Sequence, residues 1–318
     1  MVRRRSGVRF PSPALHAIGA TTTTALNERI VAARSFMAAH ARVLDRRRFE
    51  LLFGEGDAES VLDALRAYRN PDGGFSHGLE PDLRAPESQP VAAFHAFEVL
   101  GDVAPMTAPE AGELCDWLAS VSLPDGGLPF ALPIDDPSGC APFWAEADPD
   151  VFSLQITSIV AAHAVRVAEH DPAVAGHPWL ARATSCCLDA IEALEAAPDA
   201  HELAFAVRFL DAVADREERA PELLARLGEL VPRDGRLRVT GGLEDEVLSA
   251  IDVAPEPGRP ARALLDEDAV RADLERLTAE QQHDGGWTVD FRSYSPAAEL
   301  EWRGYGTVRA LTILRDNA

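Results

Sequence analysis

Apolar residues recur at the three- and four-residue spacing of amphipathic helices from Asn27 to the end of the chain. No stretch alternates between apolar and polar residues for long enough to predict a sheet. The pattern therefore predicts an all-α fold. The predicted helices cover residues 27–45, 57–69, 88–101, 107–121, 151–169, 178–196, 200–214, 218–231, 242–253, 265–282 and 297–315.

Residues 1–26 do not share this pattern. They contain four arginines, two prolines and a run of threonines, but no apolar stretch long enough for the core of a signal peptide. We expect residues 1–26 to be either disordered or the product of a wrongly assigned start codon. Residues 27–318 are predicted to form one domain.

A short turn occurs three times with nearly the same sequence, in Asp72–Phe75, Asp125–Leu128 and Asp284–Trp287, and once in a degraded form, Asp234–Leu237. The spacing fits a repeat of about 53 residues, and each repeat has room for two helices. In such turns, aspartate accepts backbone hydrogen bonds and glycine allows positive φ angles. Nearly six helical hairpins predict an (α/α)6-type toroid, since a closed ring leaves no exposed end.

The charge and the cysteines limit the possible partners. The formal net charge is −22, which repels phosphate backbones, so we expect no nucleic-acid partner. No apolar run has the length of a transmembrane segment, which predicts a soluble protein. The four cysteines form no CxxC pair, and this is typical of a reduced, cytoplasmic environment.

Several motifs carry a resemblance that covers residues 27–318. Gln281–Trp287 is similar to the QxxDGxW repeat core of squalene cyclases, and the other DGG turns resemble those of protein prenyltransferase β subunits. Asn70–Asp82 and Pro296–Gly304 also resemble a bacterial prenyltransferase-like group without an assigned reaction. The resemblance implies an α/α toroid of the terpenoid-cyclase superfamily, whose central apolar cavity holds an isoprenoid.

The catalytic motifs of that superfamily are incomplete. Asp150 occupies the position of the proton donor of a DxDD motif, but Val151 replaces the last aspartate. Asp135 and Asp136 begin a DDxxD motif that lacks its final residue. The zinc pattern of prenyltransferases is also missing, because Cys115 precedes Asp116 instead of following an aspartate at the required spacing. We therefore predict no metal and no cofactor.

Two polar segments follow the best DGG turns, and a ring would bring both to the same end of the central cavity. Asp82 and Glu301 are candidate catalytic carboxylates beside Asp150. The competing interpretation is local ion pairing on one helix, Glu80 with Arg84 and Glu299 with Arg303. The candidate substrate-binding residues are His77, Glu80, Arg84, Trp144, Arg292, Trp302 and Arg303.

Three functions fit these observations. The first is a terpenoid-cyclase-like enzyme that acts on an isoprenoid in the central cavity. The second is a non-catalytic toroid that binds an apolar ligand or a partner protein. The third is a carbohydrate-active (α/α)6 enzyme with Asp82 and Glu301 as acid and base. His95 and His163 lie on apolar helical faces and are predicted to be packed rather than catalytic, and the sequence predicts no oligomeric state.

Overall fold

The protein is mostly helical, which confirms the all-α prediction. The computed structural model describes the backbone of residues 13–318 and the side chains from residue 24 onward. The described α-helices are α1 (Pro13–His40), α2 (Val43–Phe53), α3 (Ala58–Arg66), α4 (Pro90–Asp102), α5 (Pro109–Val121), α6 (Pro142–Ala145), α7 (Leu154–Val167), α8 (Pro172–Ala175), α9 (Pro178–Glu192), α10 (Ala200–Val213), α11 (Ala220–Gly228), α12 (Ala250–Val253), α13 (Glu267–Ala279) and α14 (Pro296–Asp316). Two 3-10 helices, Pro137–Gly139 and Pro260–Leu264, and two short strands, β1 (Leu237–Arg238) and β2 (Val247–Leu248), complete the secondary structure.

The predicted helix 27–45 is two helices in the structure. α1 begins at Pro13, inside the segment that the sequence analysis assigned to an extension, and a break at Ala41 and Arg42 separates it from α2. Residues 1–12 of that predicted extension lie outside the described residues.

The predicted helix 242–253 is wrong over most of its length. β1 and β2 pair antiparallel, with Leu237 opposite Leu248, and only α12 at the end of the range is helical. Gly241 has a φ of 82°, and the Val239 amide donates to the Glu246 carbonyl. The chain therefore reverses at a glycine, in a segment where helical periodicity alone suggested continuity.

The four aspartate turns have the same local geometry. The aspartate carboxylate accepts the amide of the residue two positions later at 2.9 to 3.1 Å, and the glycine between them has a φ between 69° and 95°. The residue that ends each turn is buried: Phe75, Leu128, Leu237 and Trp287. Leu128 and Trp287 donate their amides to Thr157 on α7 and Thr307 on α14, so these turns are attached to the helices that follow them.

Packing continues from helix to helix along the chain and returns to its beginning. α2 packs against α4, α4 against α7, α7 against α10, and α10 against α12. α14 packs against both α1 and α2. Near this contact, Arg29 and Gln281 exchange two hydrogen bonds, of 3.2 and 3.0 Å. Within the described part of the chain, the helices lack the length and apolar character needed to cross a bilayer.

We expect Gly127→Ala to destabilise the fold by about 1–3 kcal/mol, because its Cβ would lie 2.2 Å from the ring of Phe152. The matched control is Gly101→Ala in α4, where a Cβ would meet nothing within 4 Å. That change should be neutral or stabilise by up to about 1 kcal/mol, since alanine favours a helix. Urea denaturation of both variants measures the difference, and equal midpoints would contradict the close packing described for this turn.

Candidate functional site

The two predicted polar segments are in direct contact, although more than two hundred residues separate them in sequence. Arg84 and Glu301 form a bidentate ion pair with N–O distances of 2.5 and 3.1 Å. Asp82 accepts the indole N–H of Trp302 at 2.7 Å and the amide of Tyr294 at 2.9 Å. The predicted meeting of the two segments is therefore present.

The alternative of local ion pairs within each segment is wrong. Glu80 contacts His95 at 2.8 Å instead of pairing with Arg84. Arg303 binds both oxygens of Asp284 at 2.9 and 2.8 Å, and its guanidinium lies 4.4 Å from the centre of the Phe36 ring. Arg303 thus ties α14 to the last DGG turn and to α1.

The other predicted binding residues, His77, Arg292 and Trp144, make contacts of a different kind. His77 is exposed, has a φ of 57° and contacts the Asn70 side chain at 2.8 Å. Arg292 lies over the Tyr294 ring at 5.3 Å. Trp144 is buried, stacks on Phe130 at 4.6 Å and has an indole nitrogen without a hydrogen-bond partner among the described residues.

The three predicted catalytic carboxylates occupy different environments. Asp150 is exposed in the turn before α7, so it lacks the dry surroundings that keep a proton-donating acid protonated. Glu301 forms an ion pair with Arg84. Asp82 is buried, burial raises its pKa, and its oxygens accept from Tyr294 and Trp302. Asp82 therefore joins the two polar segments.

A second polar cluster lies between the helices, and the sequence analysis did not single it out. Glu98 on α4 is at its centre and accepts the phenol of Tyr305 on α14 at 3.0 Å. His95 contacts the other Glu98 oxygen at 3.2 Å. We call these residues and the charged groups around them the interior cluster: Arg48, His95, Glu98, Asp102, His163, Arg208, Asp252, Tyr305 and Arg309.

His95 is held between two carboxylates. Its Nε2 lies 2.8 Å from Glu80 and its Nδ1 lies 3.2 Å from Glu98. An ionised carboxylate only accepts hydrogen bonds, so both ring nitrogens must carry protons to satisfy this geometry. Burial acts to lower the pKa of His95, but the two carboxylates outweigh it and raise the pKa above its ordinary value. His95 is therefore an imidazolium over a wider pH range than a free histidine.

His163, unlike His95, accepts a hydrogen bond from a positively charged side chain. Its Nε2 lies 3.3 Å from a guanidinium nitrogen of Arg208, and arginine can only donate, so this nitrogen accepts. Burial and the neighbouring arginines lower the pKa of His163 well below its ordinary value. The ring is therefore neutral, with its proton on Nδ1.

Several members of the interior cluster keep part of their side-chain surface accessible. The accessible fractions of the Glu98, Asp252 and Arg309 side chains are 14%, 25% and 34%. Burial acts to raise the pKa of Glu98, but the hydrogen bond from His95 and nearby positive charge, including that of Arg48, lower the pKa below its ordinary value. Burial and Glu98 raise the pKa of Tyr305. At neutral pH, the cluster therefore holds an ionised carboxylate that accepts from a protonated phenol.

Two surface grooves lie apart from this cluster. One, of about 370 Å³, is lined by α1, α2 and residues 54–57, and the other, of about 350 Å³, lies between α9 and α11. Charged residues line both grooves. Neither groove includes a residue of the predicted sites. No family model matches the chain, and no curated protein is detectably similar to it.

A sequence signal for the interior cluster exists in retrospect. His95, Glu98 and Asp102 are spaced i, i+3, i+7 on α4, which is otherwise almost wholly buried and apolar. Trp302, Tyr305 and Arg309 repeat this spacing on α14. A polar stripe on the face of a helix that should be buried indicates that the stripe faces other polar groups.

We predict that His95 titrates above and His163 below the ordinary histidine pKa of about 6.5. The stabilisation from protonated His95 should be fully present below the unfolded-state pKa and disappear as the pH rises through the folded-state pKa. His163 should instead reduce stability as the pH falls, because only the unfolded state accepts its proton readily.

Long-range ¹H–¹⁵N spectra of the imidazoles would measure both pKa values, with His95→Gln and His163→Gln as assignment variants. Equal midpoints for His95 and His163 would contradict the hydrogen-bonding pattern described above.

Proposed function

We propose that residues 27–318 form a closed ring of helical hairpins, the (α/α)6-type toroid predicted from the repeated turns. The order of contacts α2–α4–α7–α10–α12 supports closure, as does the packing of α14 on α1 and α2. The remaining link is the 2.6 Å ion pair between Asp252 of α12 and Arg309 of α14. In such a ring, α2, α4, α7, α10, α12 and α14 are the inner helices, and each of them contributes to the interior cluster.

We further propose that the protein is an enzyme that acts on a small, polar, hydroxylated molecule bound in this interior. The observation that carries the proposal is Glu98, a partly accessible carboxylate at the meeting point of charged side chains from the inner helices. Perturbed ionisable groups that line an enclosed space are typical of catalytic sites. A carboxylate has more acceptor sites than the two that Tyr305 and His95 use, so a ligand hydroxyl could also donate to Glu98 or to the phenol oxygen of Tyr305.

The cluster divides the chemical roles between its members. Glu98 stays ionised, so it suits hydrogen bonding to a substrate hydroxyl or stabilisation of positive charge that develops on the substrate. Tyr305 stays protonated and donates its O–H to Glu98, which holds the carboxylate in place and leaves the phenol oxygen as an acceptor. His95 has both nitrogens engaged by carboxylates and is almost fully buried, so it is a positioning residue that orients Glu98.

The interior favours this function over isoprenoid chemistry. A terpenoid cyclase needs an apolar chamber with one protonated acid, whereas a hydrocarbon placed here would lie against ion pairs. Such contact removes water from charged groups without replacing its hydrogen bonds. The terpenoid-cyclase-like enzyme and the toroid with an apolar ligand rest on the resemblance alone. The polar interior favours the carbohydrate-active class, with Glu98 in place of Asp82 and Glu301.

The test is turnover of a mixture of sugars, sugar acids and polyols, followed by liquid chromatography and mass spectrometry. C15 to C30 isoprenoids and their diphosphates are incubated in parallel and analysed by gas chromatography. We expect the wild-type protein to convert a polar compound and to leave the isoprenoids unchanged. Glu98→Gln should lower the rate about 10²- to 10⁴-fold, in the range of a lost charged catalytic group.

Glu275→Gln is the matched control, because Glu275 is exposed on α13 and lies outside the interior cluster. It should keep the wild-type rate, and Tyr305→Phe should lower the rate less than Glu98→Gln does. A new isoprenoid product, or polar turnover that Glu98→Gln leaves unchanged, would contradict the proposal.

A further inference from the structure

Arg208 on α10 is a partly buried cation that has no carboxylate partner among the described residues. One terminal nitrogen donates to His163 at 3.3 Å, and the guanidinium lies 5.9 Å from the centre of the Phe205 ring. Its Nε is buried and makes no hydrogen bond within the described part of the chain. Most of the donor capacity of Arg208 is therefore unused.

The neighbouring arginines differ from Arg208 in this respect. Each of them has its own carboxylate at ion-pair distance: Arg48 with Asp102 at 2.6 Å, Arg166 with Glu256 at 2.5 Å and Arg309 with Asp252 at 2.6 Å. The positive charges of Arg166 and Arg309 repel that of Arg208. Burial together with these charges lowers the pKa of Arg208 to about 10. A negative group from outside the chain would relieve this repulsion.

We propose that Arg208 binds the carboxylate of a small hydroxylated acid. This inference rests on the proposed function, since it names the substrate class of the same interior. The unused terminal N–H groups of the guanidinium lie in one plane and fit the two oxygens of a carboxylate, whereas the Nε is buried out of reach of a ligand. The single charge of a carboxylate balances the single positive charge of Arg208. A doubly charged phosphate would instead leave excess negative charge near Glu98.

The interior then has two halves of different chemistry. Arg208, with His163 as its acceptor, fixes the acidic end of the ligand. Glu98 and Tyr305 lie within electrostatic reach of Arg208 and face the hydroxylated part. His163 is neutral and accepts from Arg208, so it orients the guanidinium without competing for the anion.

The probes are acetate and its neutral analogue acetamide, because both are small enough to enter any solvent-connected space. Acetate replaces chloride at constant ionic strength, and the His163 ring signal and the melting temperature are followed. We expect a saturable shift of the His163 signal and a raised melting temperature with acetate. Acetamide should have no effect. Inorganic phosphate, tested in the same way, should give the smaller response.

Arg208→Met should abolish the acetate response while raising the melting temperature of the ligand-free protein by a few degrees, because it removes a partly buried charge that Arg166 and Arg309 repel. If Arg208 were purely structural, its replacement would lower the melting temperature. A variant that loses acetate binding and gains stability therefore distinguishes a binding role from a structural one. Arg208→Lys keeps the charge without the planar donor pair and should weaken the acetate response at least about tenfold. The matched control is Arg271→Gln, whose arginine is 65% exposed and pairs with Asp268.

An acetate response that persists in Arg208→Met, or none in the wild type, would overturn the inference. A stronger response to phosphate than to acetate would overturn the carboxylate assignment. If Arg208-dependent acetate binding occurs without turnover, only the proposed enzymatic function fails. If turnover depends on Glu98 but acetate has no effect, only the present inference fails.

Discussion

The interior of this protein depends on one charged contact, the imidazolium of His95 enclosed by Glu80 and Glu98. Glu80 comes from the loop after the first aspartate turn, and Glu98 lies one helical turn beyond His95 on α4, so the contact ties a loop to a helix. It also directs the second oxygen of Glu98 toward Tyr305 on α14. Without a positive charge at this position, two carboxylates would be buried close together, and one of them would have to take up a proton. The ionisation of His95 therefore sets the ionisation of Glu98.

The aspartate turns prepare this contact. Their positive-φ glycines let the chain reverse within four residues, and in two of the turns the buried last residue, Leu128 or Trp287, is hydrogen-bonded to the next long helix. The helices that follow, α4, α7 and α14, carry most of the interior cluster. The sequence repeat is thus structural, while the chemistry lies on positions of the helices that differ from one repeat to the next. A chain can therefore keep the repeated turn while the side chains on its helices change.

Features encoded locally could be predicted from the sequence. Periodicity predicts the helical class and most of the helices, and the aspartate and glycine residues predict the geometry of the turns. The contact between the segments around Asp82 and Trp302 followed from the assumption of a ring. The hairpin at 237–248 was missed because its pairing depends on a turn at Gly241 that helical periodicity does not show. Glu98 and Arg208 were missed for a different reason. A polar residue on a helix is usually solvated, and only the packing of helices distant in sequence shows that these two face inward.

The paired hydrogen bonds between Arg29 and Gln281 join residues 252 positions apart. A contact of such long range forms late, because the entropy of closing a long loop must be overcome before the contact contributes any stability. Until α14 docks, Glu98 lacks Tyr305 and Asp252 lacks Arg309, so water must hydrate these groups during folding. Docking of the last helix therefore dehydrates the charged centre in one step, and the free-energy cost of that dehydration adds to the barrier for completing the fold.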